Sequence, residues 1–289
     1  MRRVAMFCLA MAMFIYLPAC GFVKSVHDQS AVPPFEPDVL RIQFVSLNGD
    51  ETKAAALADM FAKELGIPVE LTLRENTEKV REAMRAKEAD VGLLQPYEYV
   101  EAAKAKEVDI LLQPQSPVIT KDEKVTSNGG KIVFEKNNGI TSFHELKGKA
   151  IATTNETSAG YIIVAAELIK AGMDPKRDVT LLTMANDDEA IESVRNGKVD
   201  AAFSVETTLA NGLGELVTEW RIPNNAIVVR VDMADKWKKS IRQAFITVGE
   251  SVEGRKLIRS LFEHEGYVPA DDSDFDGMRD AMEIAALKE

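Results

Sequence analysis

The chain has 289 residues, 46% of them hydrophobic and 28% charged, and its formal net charge is -11 at pH 7. This length and apolar content are sufficient for a large buried core. A body this acidic repels phosphates, so the composition argues against binding to nucleic acid.

The N-terminal segment has the layout of a secretory signal. Arg2 and Arg3 precede an uncharged apolar run over residues 4–16, which is shorter than the roughly 20 residues that a transmembrane helix needs. The run is followed by Leu17-Pro18-Ala19-Cys20-Gly21, which is similar to a lipobox. We therefore expect a lipoprotein signal peptide over residues 1–19 and lipid attachment, including palmitate, at Cys20. A plain signal with an incidental cysteine is the alternative.

The segment after the signal is predicted to be a tether. Cys8 and Cys20 are the only cysteines, so a chain cut before Cys20 has no disulfide and depends on its core for stability. Loss of Arg2 and Arg3, the only charged residues before Cys20, changes the formal net charge from -11 to -13. Residues 20–38 are proline-rich near their end and lack periodicity, which predicts a link to the periplasmic or cell-surface side of a membrane.

From Leu40 onward, short apolar runs alternate with helical patterns, which predicts an α/β architecture with mainly parallel sheets. The pattern indicates two consecutive strand-helix-strand crossovers. They comprise a strand at 40–45, a helix at 51–65, a strand at 69–73, a helix at 77–86 and a strand at 90–94.

An internal repeat relates two parts of the chain. The segment from Val69 matches the segment from Val179 at a constant offset of 110 without a gap, so both should adopt one strand-helix-strand plan. Chance similarity between two units of the same type is the alternative. The matching pairs are Val69 and Val179, Leu71 and Leu181, Asn76 and Asn186, Glu82 and Glu192, Arg85 and Arg195, and Asp90 and Asp200.

The repeat predicts two similar lobes, each a mainly parallel sheet flanked by helices. Apolar strands at 129–134 and 226–231 are placed where the chain would cross between lobes, forming two hinge strands. We expect lobe 1 to comprise residues 39–120 and 230–289, and lobe 2 residues 121–229. A hinge between similar lobes creates a cleft in which a ligand can be enclosed.

One candidate anion site follows the predicted strand at 151–153. Ligands bind beyond the carboxyl ends of strands in open α/β sheets, and small or hydroxylic residues here precede a helix. Their backbone N–H groups, hydroxyls and helix dipole could hold an anion, although ordinary helix capping explains the same residues. The candidates are Thr157, Ser158, Ala159, Gly160 and Tyr161.

Further candidates follow other strands. Tyr97 and Tyr99 could donate to an anion oxygen or pack against an organic group, and the alternative is routine packing. Asp188, beside Asp187, and Glu206 would suit a ligand that also carries a cation. Their alternatives are the first turn of a helix for the aspartates and a solvated position for Glu206.

No catalytic constellation is convincing. The three histidines, His27, His144 and His264, show no metal-binding spacing, and no nucleophile-elbow or phosphate-loop motif is present. We therefore expect no enzymatic activity, no metal and no cofactor.

Four stretches of the chain form a recognisable family pattern: residues 65–69, 139–149, 157–161 and 266–276. The most specific of them is the C-terminal Tyr-Val-Pro to Asp-Ser-Asp-Phe-Asp stretch. Through these stretches the whole mature region resembles the phosphate, phosphite and phosphonate ABC-transporter solute-binding proteins, the PhnD-like family with the type II periplasmic-binding-protein fold.

The resemblance implies a binding site. A Ser-Thr-Ser-Gly-Tyr-like helix start holds the anionic head group in that family, and Thr157 to Tyr161 match it except that Ala159 replaces a serine. Residues 95–99 match a Gly-Pro-Leu-Ser-Tyr stretch, in which Tyr99 is the recurrent tyrosine while Gln95 and Glu98 depart from the pattern. Gln95 is nevertheless a candidate ligand-binding residue together with Tyr97 and Tyr99. Asp188 and Glu206 fall near the carboxylates that surround a ligand amine.

The implied function is that of an extracytoplasmic, lipid-anchored, monomeric binding protein that captures a phosphonate-like oxyanion for an ABC permease. Three alternatives remain open at this stage. One is a sensor that docks on a membrane histidine kinase, and another is a binder of a different small anion or amine. The third is an enzyme on this fold, such as the pyrimidine-forming thiamin-precursor synthases.

Overall fold

The structure is a computed structural model that describes residues 33–46, 49–116, 127–205 and 212–286. Residues from Pro34 onward form one compact unit. The predicted signal peptide, the lipidation site Cys20 and most of the predicted tether lie outside the described residues, as does Glu206.

Strands and helices alternate through most of the described chain. The strands are β1 (Leu40–Val45), β2 (Val69–Arg74), β3 (Val91–Leu94), β4 (Val108–Pro114), β5 (Ser127–Glu135), β6 (Ala150–Thr153), β7 (Thr180–Thr183), β8 (Ala201–Ser204), β9 (Leu213–Pro223), β10 (Ala226–Arg230) and β11 (Tyr267–Pro269). The helices are α1 (Glu51–Leu65), α2 (Thr77–Arg85), α3 (Pro96–Lys104), α4 (Ala159–Lys170), α5 (Asp187–Arg195), α6 (Asp235–Glu250), α7 (Val252–Phe262) and α8 (Asp276–Ala286). Over the described residues, none of the helices has the length and apolar character needed to cross a bilayer.

The strands form two mixed sheets flanked by helices. Their orders are β11-β4-β10-β3-β1-β2 and β7-β6-β8-β5-β9. Parallel strand pairs join β2-β1-β3 and β7-β6-β8, where helices make the crossovers that parallel neighbours require. The predicted two-lobe α/β architecture is confirmed, but the sheets are less parallel than expected. The reason is that β5 pairs antiparallel with β8, and β10 pairs antiparallel with β3. Antiparallel neighbours do not need a helical crossover.

The internal repeat is confirmed in detail. Helices α2 and α5 begin and end at positions exactly 110 residues apart, as do β3 and β8. Asn76 accepts a hydrogen bond from the Lys79 N–H at 2.9 Å, and Asn186 caps α5 in the same way. At the next strand, Asp90 accepts from the Arg41 N–H at 3.0 Å, while Asp200 accepts from the Ala150 N–H at 2.8 Å. The repeated residues therefore make the same structural bonds in both sheets.

The buried apolar residues of the described segments form three clusters. One lies between the first sheet and α1, α6 and α7, and a smaller one lies beneath α5 on the second sheet. The third contains residues from both sheets and from α2, α3, α4 and α8. Because this last cluster is shared, the two lobes are joined by side-chain packing as well as by the chain itself.

The C-terminal helix α8 contacts both lobes. It packs on α4 and β9 of the second sheet and on α3 of the first. Its buried residues Met278 and Ala281, together with Phe275 before it, belong to the shared cluster. Most of the contacts of α8 are with α4 and β9, whereas the prediction placed residues 230–289 in lobe 1. The lobe boundaries stay a prediction.

The connections between the sheets meet at Asn224. Its side-chain amide donates to the Pro114 carbonyl oxygen at 2.9 Å, and its side-chain oxygen accepts from Asn128 at 3.3 Å. These bonds join the end of β4, the start of β5 and the link from β9 to β10. Both predicted strands are present, as β5 and β10, but each lies within a single sheet, β5 in the second and β10 in the first. A crossing by the strands themselves stays a prediction.

Candidate functional site

The N-terminus of α4 lies beyond the carboxyl end of β6, as predicted. Ser158 is the N-cap, and its hydroxyl accepts a hydrogen bond from the Tyr161 N–H at 3.1 Å. The first N–H groups of a helix have no intrahelical acceptor, so Ala159 and Gly160 remain suitable donors to an anion. The Tyr161 N–H, also expected to be open, is instead engaged by the cap.

Asn155 organises the turn before this helix. Its side-chain oxygen accepts from the Thr157 N–H at 3.1 Å and from the Thr157 hydroxyl at 2.8 Å. The Thr157 hydroxyl hydrogen is therefore already donated, whereas the Ser158 hydroxyl accepts in its cap and keeps its own hydrogen for a ligand. Sequence reasoning did not single out Asn155, although the Asn-x-Thr spacing is a typical signal for such a turn.

Gly160 is required for packing on Phe203. A Cβ atom at this position would lie 2.6 Å from Cδ1 of the Phe203 ring. The side of Gly160 on which a Cβ would stand faces the aromatic ring. A role in anion binding for Gly160 therefore rests on its N–H group alone.

The N-terminus of α3 explains two departures from the family pattern. The Gln95 N–H donates to the Glu98 carboxylate at 3.1 Å, and Gln95 is the N-cap of α3. Burial raises the pKa of Glu98, while hydrogen bonds from Thr77 and the Gln95 N–H act in the opposite direction. Glu98 thus serves the helix end, which the spacing of a capping box would have indicated.

Tyr99 is engaged in the protein interior. Its side chain is 1% exposed, its ring lies 4.4 Å from that of Phe275, and its hydroxyl donates to Asp272 at 2.5 Å. Burial, followed by the bond to Asp272, raises the pKa of Tyr99. In this structure Tyr99 ties α3 to the segment before α8, and ligand contact by its hydroxyl remains a prediction.

Tyr97, Thr157 and Tyr161 line one groove between the lobes. This interlobe groove has a volume of about 460 Å³ and is bounded by α3, α4 and α8. Of the predicted ligand residues, these three are brought together. The groove is also lined by Glu101, Glu156 and Lys176, which sequence reasoning did not select. A second cavity, of about 1000 Å³, is lined by Tyr99 and Arg279 and shares Glu101, Met282 and Ala286 with the interlobe groove.

Asp188 lies elsewhere. It is exposed in the first turn of α5, where carboxylates favour the helix dipole. It lines a depression bounded by α5 itself, with Glu192 and Arg195, and not the interlobe groove. Its proposed contact with a ligand amine remains a prediction, and Glu206 lies outside the described residues.

The described histidines do not form a metal site. Among the described residues, no group of three or more histidine, cysteine, aspartate or glutamate side chains could hold a metal ion. Burial lowers the pKa of His264 to about 4, and its Nδ1 atom is inaccessible and lacks a hydrogen-bond partner. This residue packs near Phe262 and Tyr267 in the first lobe.

Comparison with known proteins identifies the family. Solved structures with a similar fold include three at low sequence identity. XAC2383 from Xanthomonas citri, bound to ATP, is 13% identical with a TM-score of 0.70, covering 87% of this chain and 98% of that one. A binding protein component of an ABC phosphonate transporter from Pseudomonas aeruginosa is 17% identical with a TM-score of 0.63, covering 86% and 87%.

The third is PhnD1 from Prochlorococcus marinus in complex with methylphosphonate, 18% identical with a TM-score of 0.60, covering 88% and 100%. At these identities the three structures show a shared fold. The family evidence comes from a model described as "ABC transporter, phosphonate, periplasmic substrate-binding protein", which matches residues 49–275. That match spans well over half of the chain, which therefore belongs to the family of periplasmic substrate-binding proteins of phosphonate ABC transporters.

Proposed function

We propose that this protein captures a small phosphonate-like oxyanion between its lobes and delivers it to an ABC permease. The observation that carries the proposal is the N-terminus of α4, whose cap Ser158 keeps a hydroxyl hydrogen beside the backbone donors of Ala159 and Gly160. Thr157, next to that cap, lines a groove between the two lobes. A ligand held there contacts both lobes and so favours their closure.

Local donors are needed because the chain as a whole is acidic. Its formal net charge of -11 opposes the approach of an anion, so binding depends on hydrogen bonds and on the helix dipole. A hydrogen bond to a charged group contributes about 1.5 to 3 kcal/mol. The dipole of α4 adds about 0.3 to 1 kcal/mol near its first turn.

A ligand screen tests this proposal. Purified protein is heated with phosphate, phosphite, alkylphosphonates, aminoalkylphosphonates and sulfonates, and the unfolding temperature is measured. A ligand at 100 times its dissociation constant should stabilise the fold by about 2.7 kcal/mol. We expect at least one phosphorus oxyanion to stabilise the protein, with calorimetry confirming one site. Stabilisation by sulfonates alone, or by none of these ligands, would contradict the assignment.

The proposed location is the periplasmic or cell-surface side of the membrane, with a lipid on Cys20 as anchor and a monomeric binding unit. Family membership supports the extracytoplasmic location, and the pattern at residues 17–21 supports the anchor. In cells labelled with palmitate, the wild-type chain should incorporate label and Cys20→Ser should not. Labelling of the substituted chain would show that the lipid is attached elsewhere.

A further inference from the structure

The interlobe groove extends well beyond the proposed anion site. Thr157 and Tyr161 line it near the start of α4, and its lining continues along α4 to Ile169. Eight residues of helix span about 12 Å. The volume of about 460 Å³ falls in the range of small-molecule sites. An oxyanion held at the start of α4 therefore leaves much of the groove for the rest of the ligand.

Apolar groups make up about half of the exposed lining of this groove. The apolar walls extend along α4 from Ile162 to Ile169. They are formed by one side of α4 and by the end of α8, and a carbon chain lying between them would be removed from water. Each buried methylene contributes about 0.8 kcal/mol, or about fourfold in affinity. The apolar lining residues are Ile162, Ala165, Ile169, Met282, Ala285 and Ala286.

The charged groups at the groove disfavour a second anion. Three carboxylates, those of Glu101, Glu156 and Asp174, line it together with one cation, Lys176. Asp174 is also paired with Arg177 at 2.7 Å. The excess of negative charge repels a carboxylate at the end of a ligand and accepts a neutral or cationic end.

We infer that the interlobe groove selects the organic substituent of the ligand, which is an oxyanion carrying an extended neutral or cationic chain. The inference rests on the proposed function, because that proposal places the head group at α4. It adds that inorganic phosphate and methylphosphonate leave most of the groove unfilled. These small anions are therefore weak ligands compared with longer phosphonates.

Calorimetry on a homologous series tests the inference. Methyl-, butyl- and hexylphosphonate are titrated into the purified protein, and affinity should rise by about fourfold per methylene until the groove is filled. At equal length, an amino-terminated chain should bind more tightly than a carboxyl-terminated chain. If methylphosphonate binds but affinity is flat or falls with chain length, the inference is wrong and the proposed function stands. If no member of the series binds, the proposed function fails first.

Two variants test the location of the chain. Ala285→Leu and Ile169→Phe each enlarge a half-buried residue that lines the groove. Each should weaken hexylphosphonate by roughly tenfold or more while changing methylphosphonate by no more than about twofold. Ala55→Leu, at an exposed position of α1, is the matched control and should change neither. If both groove variants fold and bind hexylphosphonate like the parent, or lose both ligands equally, the chain does not lie in this groove.

Discussion

Substitution of Ser158 separates a helix cap from a ligand contact. Ser158→Asp keeps an N-cap of equal quality and adds a negative charge at the end of α4 where the dipole favours it. Stability should therefore be unchanged or slightly increased. An anion about 4 Å from the new carboxylate would be opposed by about 4 kcal/mol, close to a thousandfold in affinity. Stability and binding are expected to change in opposite directions.

Ser158→Ala should lower both quantities. The substitution removes the hydrogen bond that the Ser158 hydroxyl accepts from the Tyr161 N–H at 3.1 Å. Loss of this cap should lower the free energy of unfolding by about 1 kcal/mol, or the unfolding temperature by about 2 to 4 °C. The lost donor to the ligand weakens binding by about tenfold to a hundredfold. Thr157→Val should weaken binding much less than Ser158→Ala, because its hydroxyl hydrogen is already donated to Asn155.

The assay combines denaturant unfolding with calorimetry on the best ligand from the screen. Asn76→Asp is the matched control, since it adds the same charge to a cap that accepts from the Lys79 N–H at 2.9 Å outside the interlobe groove. It should leave affinity nearly unchanged. If Ser158→Asp remains folded and binds the ligand as tightly as Asn76→Asp does, the anion does not lie at α4 and the reasoning is refuted.

Three further predictions concern the fold. Lys87 has a φ of 59°, and the repeat has Gly197 with a φ of 65° at the matching position. In denaturant unfolding, Lys87→Gly should therefore stabilise the protein by up to about 1 kcal/mol, and Gly197→Ala should destabilise it by a similar amount. Equal destabilisation by both substitutions would contradict this. Burial lowers the pKa of His264 from 6.5 to about 4, so the unfolded chain takes up a proton at a higher pH than the folded protein does. The free energy of unfolding should therefore be greatest above pH 6.5 and should fall by about 3 kcal/mol in total as the pH decreases through 4. His264→Gln should reduce that loss, and an unchanged pH profile would exclude His264 as its source. Gly160→Ala places a Cβ 2.6 Å from the Phe203 ring and should lower the free energy of unfolding by about 1 to 3 kcal/mol. Phe203→Leu should relieve part of this loss in the double variant. If the effects of the two substitutions simply add, the contact is not the cause.

Local patterns in the sequence were sufficient for the repeated unit. The helix bounds of α2 and α5 and the caps Asn76 and Asn186 follow from apolar periodicity and capping chemistry, which act over a few residues. The contacts that decide the site act over long separations. Tyr99 bonds to Asp272, which is 173 residues away, and Gly160 meets Phe203 across the second lobe. No periodicity encodes such partners, because they depend on how the elements pack.

The first sheet contains an antiparallel strand, β10, that comes late in the chain. Its position limits when that sheet can be completed during synthesis. Every strand of the second sheet lies between Ser127 and Pro223, whereas the first sheet needs β10 (Ala226–Arg230) between β3 and β4. As the polypeptide leaves a ribosome or a translocation channel, the second sheet can be completed from one continuous stretch. The first sheet has no partner between β3 and β4 until about residue 230 has emerged. During that interval its unpaired edges are the part of the nascent chain most open to aggregation or to a chaperone.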